Sequence, residues 1–426
     1  MNGPGAILIA TSIVALLFAL RWLQKRFGFG PELSRKLFHI SGGIVSLLLP
    51  WIFSSLAPVI VLTIFSTLVL LVVRFLPSLN ASLGRVLNAV DRPSWGELCF
   101  PVSVLLLFAL SHENTVFYVI PLLILTFADS TAALIGTRYG QLKYMATEAS
   151  KSVEGSAAFF LVGFLSVHVP LLLGTAIGRA ESLLAALILA FLLVLLEGVA
   201  WAGLDNLFVP ICAYVLLQTL TKLSATELMS RFAIMLSFTT VGLLWGRRTT
   251  LNMSGLMGGF LLCYAVWMMA DWRWVLMPVI LFYSHPFLSP PSEWAKHRVH
   301  NVHVMLSIFS AGLVLLLAGY FLNRDFYYPF AVSFAAHLAI IGAVRQELSS
   351  PGIRKPLVHS IRAWALIFAA YLLVRGVGQR ELLRAALALP CVFIAVLIQR
   401  NQTTGDDRWR REAFAAGLAS APALLW

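Results

Sequence analysis

The sequence predicts an all-α fold, a polytopic integral membrane helical bundle of about fifteen transmembrane helices. Three observations predict it: 59% of the 426 residues are apolar, only 12% are charged, and the mean hydropathy is +0.86. Soluble domains carry about twice that share of charge. No soluble core of this length hides so much apolar surface. The same figures exclude disorder and fibrous repeats. Four scattered cysteines, Cys99, Cys212, Cys263 and Cys391, exclude a disulfide scaffold.

A bilayer core takes about 20 helical residues. With that ruler, spans start near Ala6, Leu37, Pro58, Leu98, Thr115, Gly155, Leu183, Asn206, Phe232, Ser254, Trp274, Val302, Phe326, Ile361 and Leu382. The first ends in Arg21, Lys25 and Arg26 without a small-residue cleavage site, so it reads as a retained helix. The tail after Asp406 is amphiphilic. Alternating the spans puts 23 Lys and Arg on one side and 8 on the other. The positive-inside rule then sets the N-terminus outside and the C-terminus in the cytoplasm. It also accounts for the net charge of +12 without a nucleic-acid partner. Charge, Gly and Ser cluster at membrane edges before residue 225, and hydrophobic hairpins follow. The expected division is a motif-bearing domain at 1–225 and an additional membrane region at 226–426.

An ionised carboxylate costs about 2.5–3.5 kcal/mol at a helix centre, which makes the few acidic residues informative. Glu97, Asp129, Glu154, Glu197 and Asp205 all fall at cytoplasmic ends of spans in this topology. Their convergence points to one polar site open to the cytosol.

Four clusters surround them. In the first, Arg35, Lys36, His39 and Gly43 open the second span. Arg35 and His39 share a helical face, which suits either a polyphosphate or lipid-phosphate anchoring. In the second, Asp129 precedes small residues and Gly136 and Gly140, a surface for a ligand or simply for another helix. Lys151-Ser152-Val153-Glu154-Gly155-Ser156 opens the sixth span. Its free N–H groups and Lys151 suit phosphates and Glu154 suits Mg²⁺, or Ser152 and Glu154 merely cap the helix. The spacing is not that of a Walker A loop. The last runs from Glu197 to Pro210, where Asp205 and Asn206 either cap the next helix or serve the site.

In this order the clusters resemble the CTP-dependent lipid-alcohol kinases, the phytol and dolichol kinases and their bacterial relatives. The matching patterns are R-K-x-x-H-x-x-x-G at Arg35–Gly43, D-x-x-A-x-x-x-G-x-x-x-G at Asp129–Gly140, K-S-x-E-G-S at Lys151–Ser156, and Glu197 with D-N-x-x-V-P at Asp205–Pro210. Glu97 in Trp95-Gly96-Glu97 is a weaker match. The resemblance covers about residues 30–220. Glu148 and Leu204 depart from the family pattern, at positions where a substrate or metal preference would change.

The resemblance implies transfer of the γ-phosphoryl group of CTP to the hydroxyl of an isoprenoid or related lipid alcohol held in the bilayer, with Mg²⁺ as cofactor. It implies metal binding by Asp129 and Glu154, and chemistry by Asp129, Lys151, Glu197 and Asp205, one of the last two as base. It implies nucleotide binding by Arg35, Lys36, His39, Gly136, Gly140, Lys151, Ser152, Gly155, Ser156 and Asn206. Two rivals stay open: a cytidylyltransferase acting on a lipid phosphate, and an ion-coupled transporter, which would place its carboxylates near the midplane. In the second half, His297, His300 and His303 form a helical stripe beside Lys296 and Arg298, read as interfacial rather than metal-binding. The remaining spans read as packing, homo-oligomerisation or lipid-tail binding.

Overall fold

The computed structural model describes residues 3–87, 94–111, 114–147, 150–245, 249–288, 300–345, 353–400 and 408–425. It is all-α apart from one small hairpin, and it divides into two compact units, Met1–Phe238 and Thr239–Trp426.

The first unit begins with α1 (Gly3–Phe27), α2 (Pro31–Leu47), α3 (Leu56–Phe75) and α4 (Gly96–Leu110). A continuous rod, α5, covers Thr115–Tyr139. The hairpin β1 (Lys143–Met145) and β2 (Ser150–Ser152) follows, antiparallel, with Tyr144 opposite Lys151. Then come α6 (Val153–Gly174), α7 (Arg179–Val199), α8 (Asp205–Leu220) and α9 (Ala225–Trp245), whose end lies in the second unit. The second unit holds α10 (Met253–Met269), α11 (Trp272–Leu288), α12 (Val302–Leu322), α13 (Tyr327–Arg345), α14 (Arg354–Arg375), α15 (Gln379–Arg400) and α16 (Arg408–Ser420).

A helix covers each of the fifteen expected spans, because long apolar runs have no other way to satisfy their backbone in lipid. Among the described residues nine are both long and apolar enough to cross a membrane, and four more are apolar but shorter. Nine of the fifteen expected helices thus meet both criteria among the described residues. α2, whose first turns carry Glu32, Arg35 and Lys36, and α11 fall outside both sets. The tail after Asp406 supplies α16.

α7 is the buried post of the first unit, lying against α6 and α8. α13 plays that part in the second, between α14, α15 and α16, with nearly every side chain covered. One residue there breaks the apolar rule. His337 is 1% exposed, and neither ring nitrogen has a hydrogen-bond partner among the described residues. An unsatisfied buried polar group costs about 1–3 kcal/mol. His337→Leu is accordingly expected to raise the melting temperature in detergent, and a drop would reveal a partner that the fold depends on.

Orientation is testable at two exposed positions. Ser150 lies on the hairpin and Ala180 at the start of α7, at opposite ends of the 22-residue α6. In a background lacking the four native cysteines, Ser150→Cys and Ala180→Cys should react with an impermeant maleimide from opposite sides. Reaction of both from one side would break the topology.

Candidate active site at one end of the first unit

The site is built where α2 crosses α5. Pro121 inside α5 cannot donate a backbone hydrogen bond, and the next turn, Ile124–Ala128, widens into a π-helix. There the Asp129 N–H reaches back to the Ile124 carbonyl. The Leu125 carbonyl is met instead by His39 Nε2 at 2.8 Å. A carbonyl only accepts, so His39 carries its proton on Nε2. The same turn presents Thr126 to Gly43. A Cβ on Gly43 would lie 2.1 Å from Thr126 Oγ1, so only glycine permits this crossing.

Lys36, His39 and Gly43 thus form the face of α2 that meets α5. Lys36 Nζ donates to Asp129 Oδ2 at 2.6 Å, and both residues are under 9% exposed. His39 Nε2 lies 3.6 Å from the same oxygen, and its ring packs edge-on against Phe100. Arg35 points to a different partner, making a two-bond contact with Glu32 one turn earlier.

The second half of the site is the hairpin and the start of α6. Lys151 Nζ donates to Glu197 Oε1 at 2.5 Å and to the Glu197 carbonyl. Burial lowers the pKa of this ammonium, but the carboxylates of Glu197 and Asp205 outweigh it and hold the pKa above the ordinary lysine value. The hairpin is tied down independently. Thr147 Oγ1 donates to the Val199 carbonyl at 2.7 Å, and the Tyr144 and Ser156 hydroxyls are 2.7 Å apart.

Of the expected cap, Ser152 caps the helix, its Oγ accepting from the Gly155 N–H at 3.1 Å, while Glu154 bonds outside the helix. The Val153 N–H is taken by the Leu142 carbonyl. Two of the first-turn donors expected for phosphate are therefore engaged within the protein. Gly136, Gly140 and Gly155 let α5 and α6 touch: a Cβ on Gly155 would sit 2.9 Å from the Ala132 carbonyl oxygen.

A third group closes the rim. Asn206 Nδ2 donates to the Gly96 carbonyl at 2.9 Å, and Ser103 Oγ donates to the Asn206 carbonyl at 2.5 Å. Asp205 Oδ1 accepts from the Asn206 N–H at 3.0 Å. Arg74 bonds Glu97 and the Ser94 carbonyl, and lies over the Trp95 ring at 4.4 Å.

These groups surround a cavity of about 990 Å³ within the first unit. Arg35, Lys36, His39, Asp129, Gly136, Lys151, Ser152, Gly155, Ser156, Glu197, Asp205 and Asn206 all line it. Gly140 and Glu154 do not. Glu154 instead accepts from the Leu142 N–H at 3.1 Å, so Asp129 and Glu154 do not face each other across the cavity. Sequence reasoning did not single out Arg74, Lys143 or Glu32, which also line it. Their signal was charge at the same membrane edge, without a spacing that pairs them. From the charged end the lining turns apolar between α1, α2, α3 and α4.

Glu148 and His297 lie outside the described residues. His300 is engaged by Thr250, with Oγ1 to Nδ1 at 2.8 Å, and packs edge-on against Trp409. Among the described residues no group of three His, Cys, Asp or Glu is arranged to hold a metal ion.

Over 209 residues the chain is 29% identical to a phytol kinase from Synechocystis sp.. That stretch is 48% of this chain and 87% of the relative. No protein-family model and no solved structure matches the chain.

Proposed function

We propose that this protein transfers the γ-phosphoryl group of CTP to the hydroxyl of a membrane isoprenoid or related lipid alcohol. The observation that carries the proposal is a single cavity with a cationic, carboxylate-bearing end and an apolar limb, in a chain related to a phytol kinase. One end suits a triphosphate and the other a hydrocarbon tail, and the hydroxyl belongs at their junction. CTP as donor rests on the family resemblance. An active site facing the cytoplasm rests on the distribution of Lys and Arg.

Phosphoryl transfer asks mainly for positioning and charge neutralisation. Arg35, Lys36, Lys143 and Lys151 supply cations around the cavity mouth. Mg²⁺ takes one or two carboxylates together with substrate phosphates. Asp129 fits that requirement, since Lys36 engages only its Oδ2. Once bound, the ion would neutralise charge on the phosphates. Glu154, outside the cavity, is replaced in this role by Asp129 alone.

Asp205 lines the cavity, and none of the ion pairs among the described residues engages it. It is the base of this proposal: the alcohol proton passes to Asp205, the alcohol oxygen bonds Pγ, and the bond from Pγ to the bridging oxygen breaks to release CDP. Glu197, already bound to Lys151, holds that lysine over the cavity. Purified protein given CTP, Mg²⁺ and phytol or a polyprenol should yield the lipid monophosphate. Asp205→Asn should reduce the rate about a hundred-fold or more. A rate unchanged in Asp205→Asn would remove it as the base.

A further inference from the structure

The apolar limb has a measurable length. Val59, Leu62, Ser66, Leu70 and Arg74 are spaced along one face of α3, and all line the cavity. From Arg74 to Val59 the helix rises about 22 Å at 1.5 Å per residue. α2 also lines the cavity, from Lys36 and His39 at the charged end, and the lining continues to Leu49 just past its other end. The limb therefore follows the helices from one end to the other.

At that far end the limb stops. Ile9, Leu49 and Val59 line it there and are each 6% exposed or less. Behind them Phe53 is buried, and α1 is seated on this turn: a Cβ on Gly5 would lie 3.1 Å from Ile52 and 3.6 Å from Phe53.

We infer that Ile9, Leu49 and Val59 are the floor of a chain-length ruler, which sets the longest lipid alcohol able to keep its whole tail inside while its hydroxyl reaches Asp129 and Asp205. An extended hydrocarbon advances about 1.25 Å per bond, so a limb of this length holds a main chain of roughly sixteen to eighteen carbons. Shorter tails leave apolar wall uncovered and lose binding in proportion to the missing area. Longer polyprenols must expel part of the tail from the limb. This inference rests on the lipid-kinase reading and adds the residues that determine specificity.

The test uses geraniol, farnesol, geranylgeraniol and a dolichol, with two readouts on the full-length protein. One is phosphorylation with CTP. The other is displacement of a fluorescent alkyl probe without nucleotide. Leu49→Trp raises the floor, and Ile9→Phe does so from α1 if the first variant fails to fold. Each should lower the ratio of geranylgeraniol to farnesol, in turnover and in probe displacement, by roughly ten-fold, the equivalent of a few lost methylene contacts. Unchanged ratios in a folded variant would overturn the ruler while leaving the kinase reading intact. Length-selective displacement with no phosphorylation of any alcohol would keep the ruler and remove the kinase reading. A wild-type protein that handles dolichol as well as geranylgeraniol in both readouts would overturn the ruler as well.

Discussion

Lys36→Met alone is expected to destabilise the first unit by about 3–5 kcal/mol, because it leaves the Asp129 carboxylate buried without its cation. The Lys36 and Asp129 side chains are 4% and 11% exposed, and their 2.6 Å contact joins α2 to α5. Asp129→Leu alone strands the ammonium and should cost a similar amount. Combining them should restore most of the loss, since a well-packed apolar pair often equals or exceeds a buried ion pair in stability. Thermal unfolding in detergent across this double-mutant cycle measures the coupling directly. Activity should not recover with stability, because the double variant has lost both the cation proposed for the phosphates and the carboxylate proposed for Mg²⁺. Recovered activity would show that the pair only holds the helices together.

Lys151→Ala is the second large effect. Its ammonium is held over the cavity by the Glu197 carboxylate and carbonyl, while the hairpin itself is anchored by Thr147 and Tyr144. The change leaves the buried Glu197 carboxylate without its cation, so it should cost stability as Lys36→Met does, and the kinetics are read on protein shown to be folded. In that folded protein kcat/KM for the nucleotide should fall about a hundred- to a thousand-fold, the usual cost of one preorganised group facing developing charge. The raised pKa of Lys151 keeps it charged through the neutral range and beyond. Its charge should be lost only on the alkaline side of ordinary lysine, so a decline of activity near neutral pH must come from another group. A Lys151→Ala protein with wild-type kinetics would show that the lysine serves only to bind Glu197.

Helix positions were legible because membrane hydropathy is a one-dimensional signal: a helix covers every apolar run the sequence marks, even where it is too short to count as a span. The convergence of Asp129, Glu197 and Asp205 was legible for the same reason, since topology sorts charges to one edge. What the sequence could not carry was pairing. Arg35 and Lys36 look equivalent, yet a rotation of one residue along α2 gives Asp129 to Lys36 and leaves Arg35 with Glu32. The π turn at Ile124–Ala128 follows Pro121 and lies at the crossing with Gly43, and neither hydropathy nor spacing reports it. Glu154 sits in a good metal-binding pattern but does not line the cavity, because the turn before β1 offers it the Leu142 N–H. Arg74 and Glu97 are 23 positions apart, on separate helices, beyond the reach of any periodicity.

The central claim is that the cavity passes a terminal phosphoryl group to a lipid alcohol. CTP labelled differently at its α and γ phosphorus atoms tests it most directly, with purified protein, Mg²⁺ and geranylgeraniol. The account predicts that the lipid product carries only the γ label and that the α label remains in CDP. The α label in the lipid fraction, with pyrophosphate released, would contradict it and would identify the site as a cytidylyltransferase.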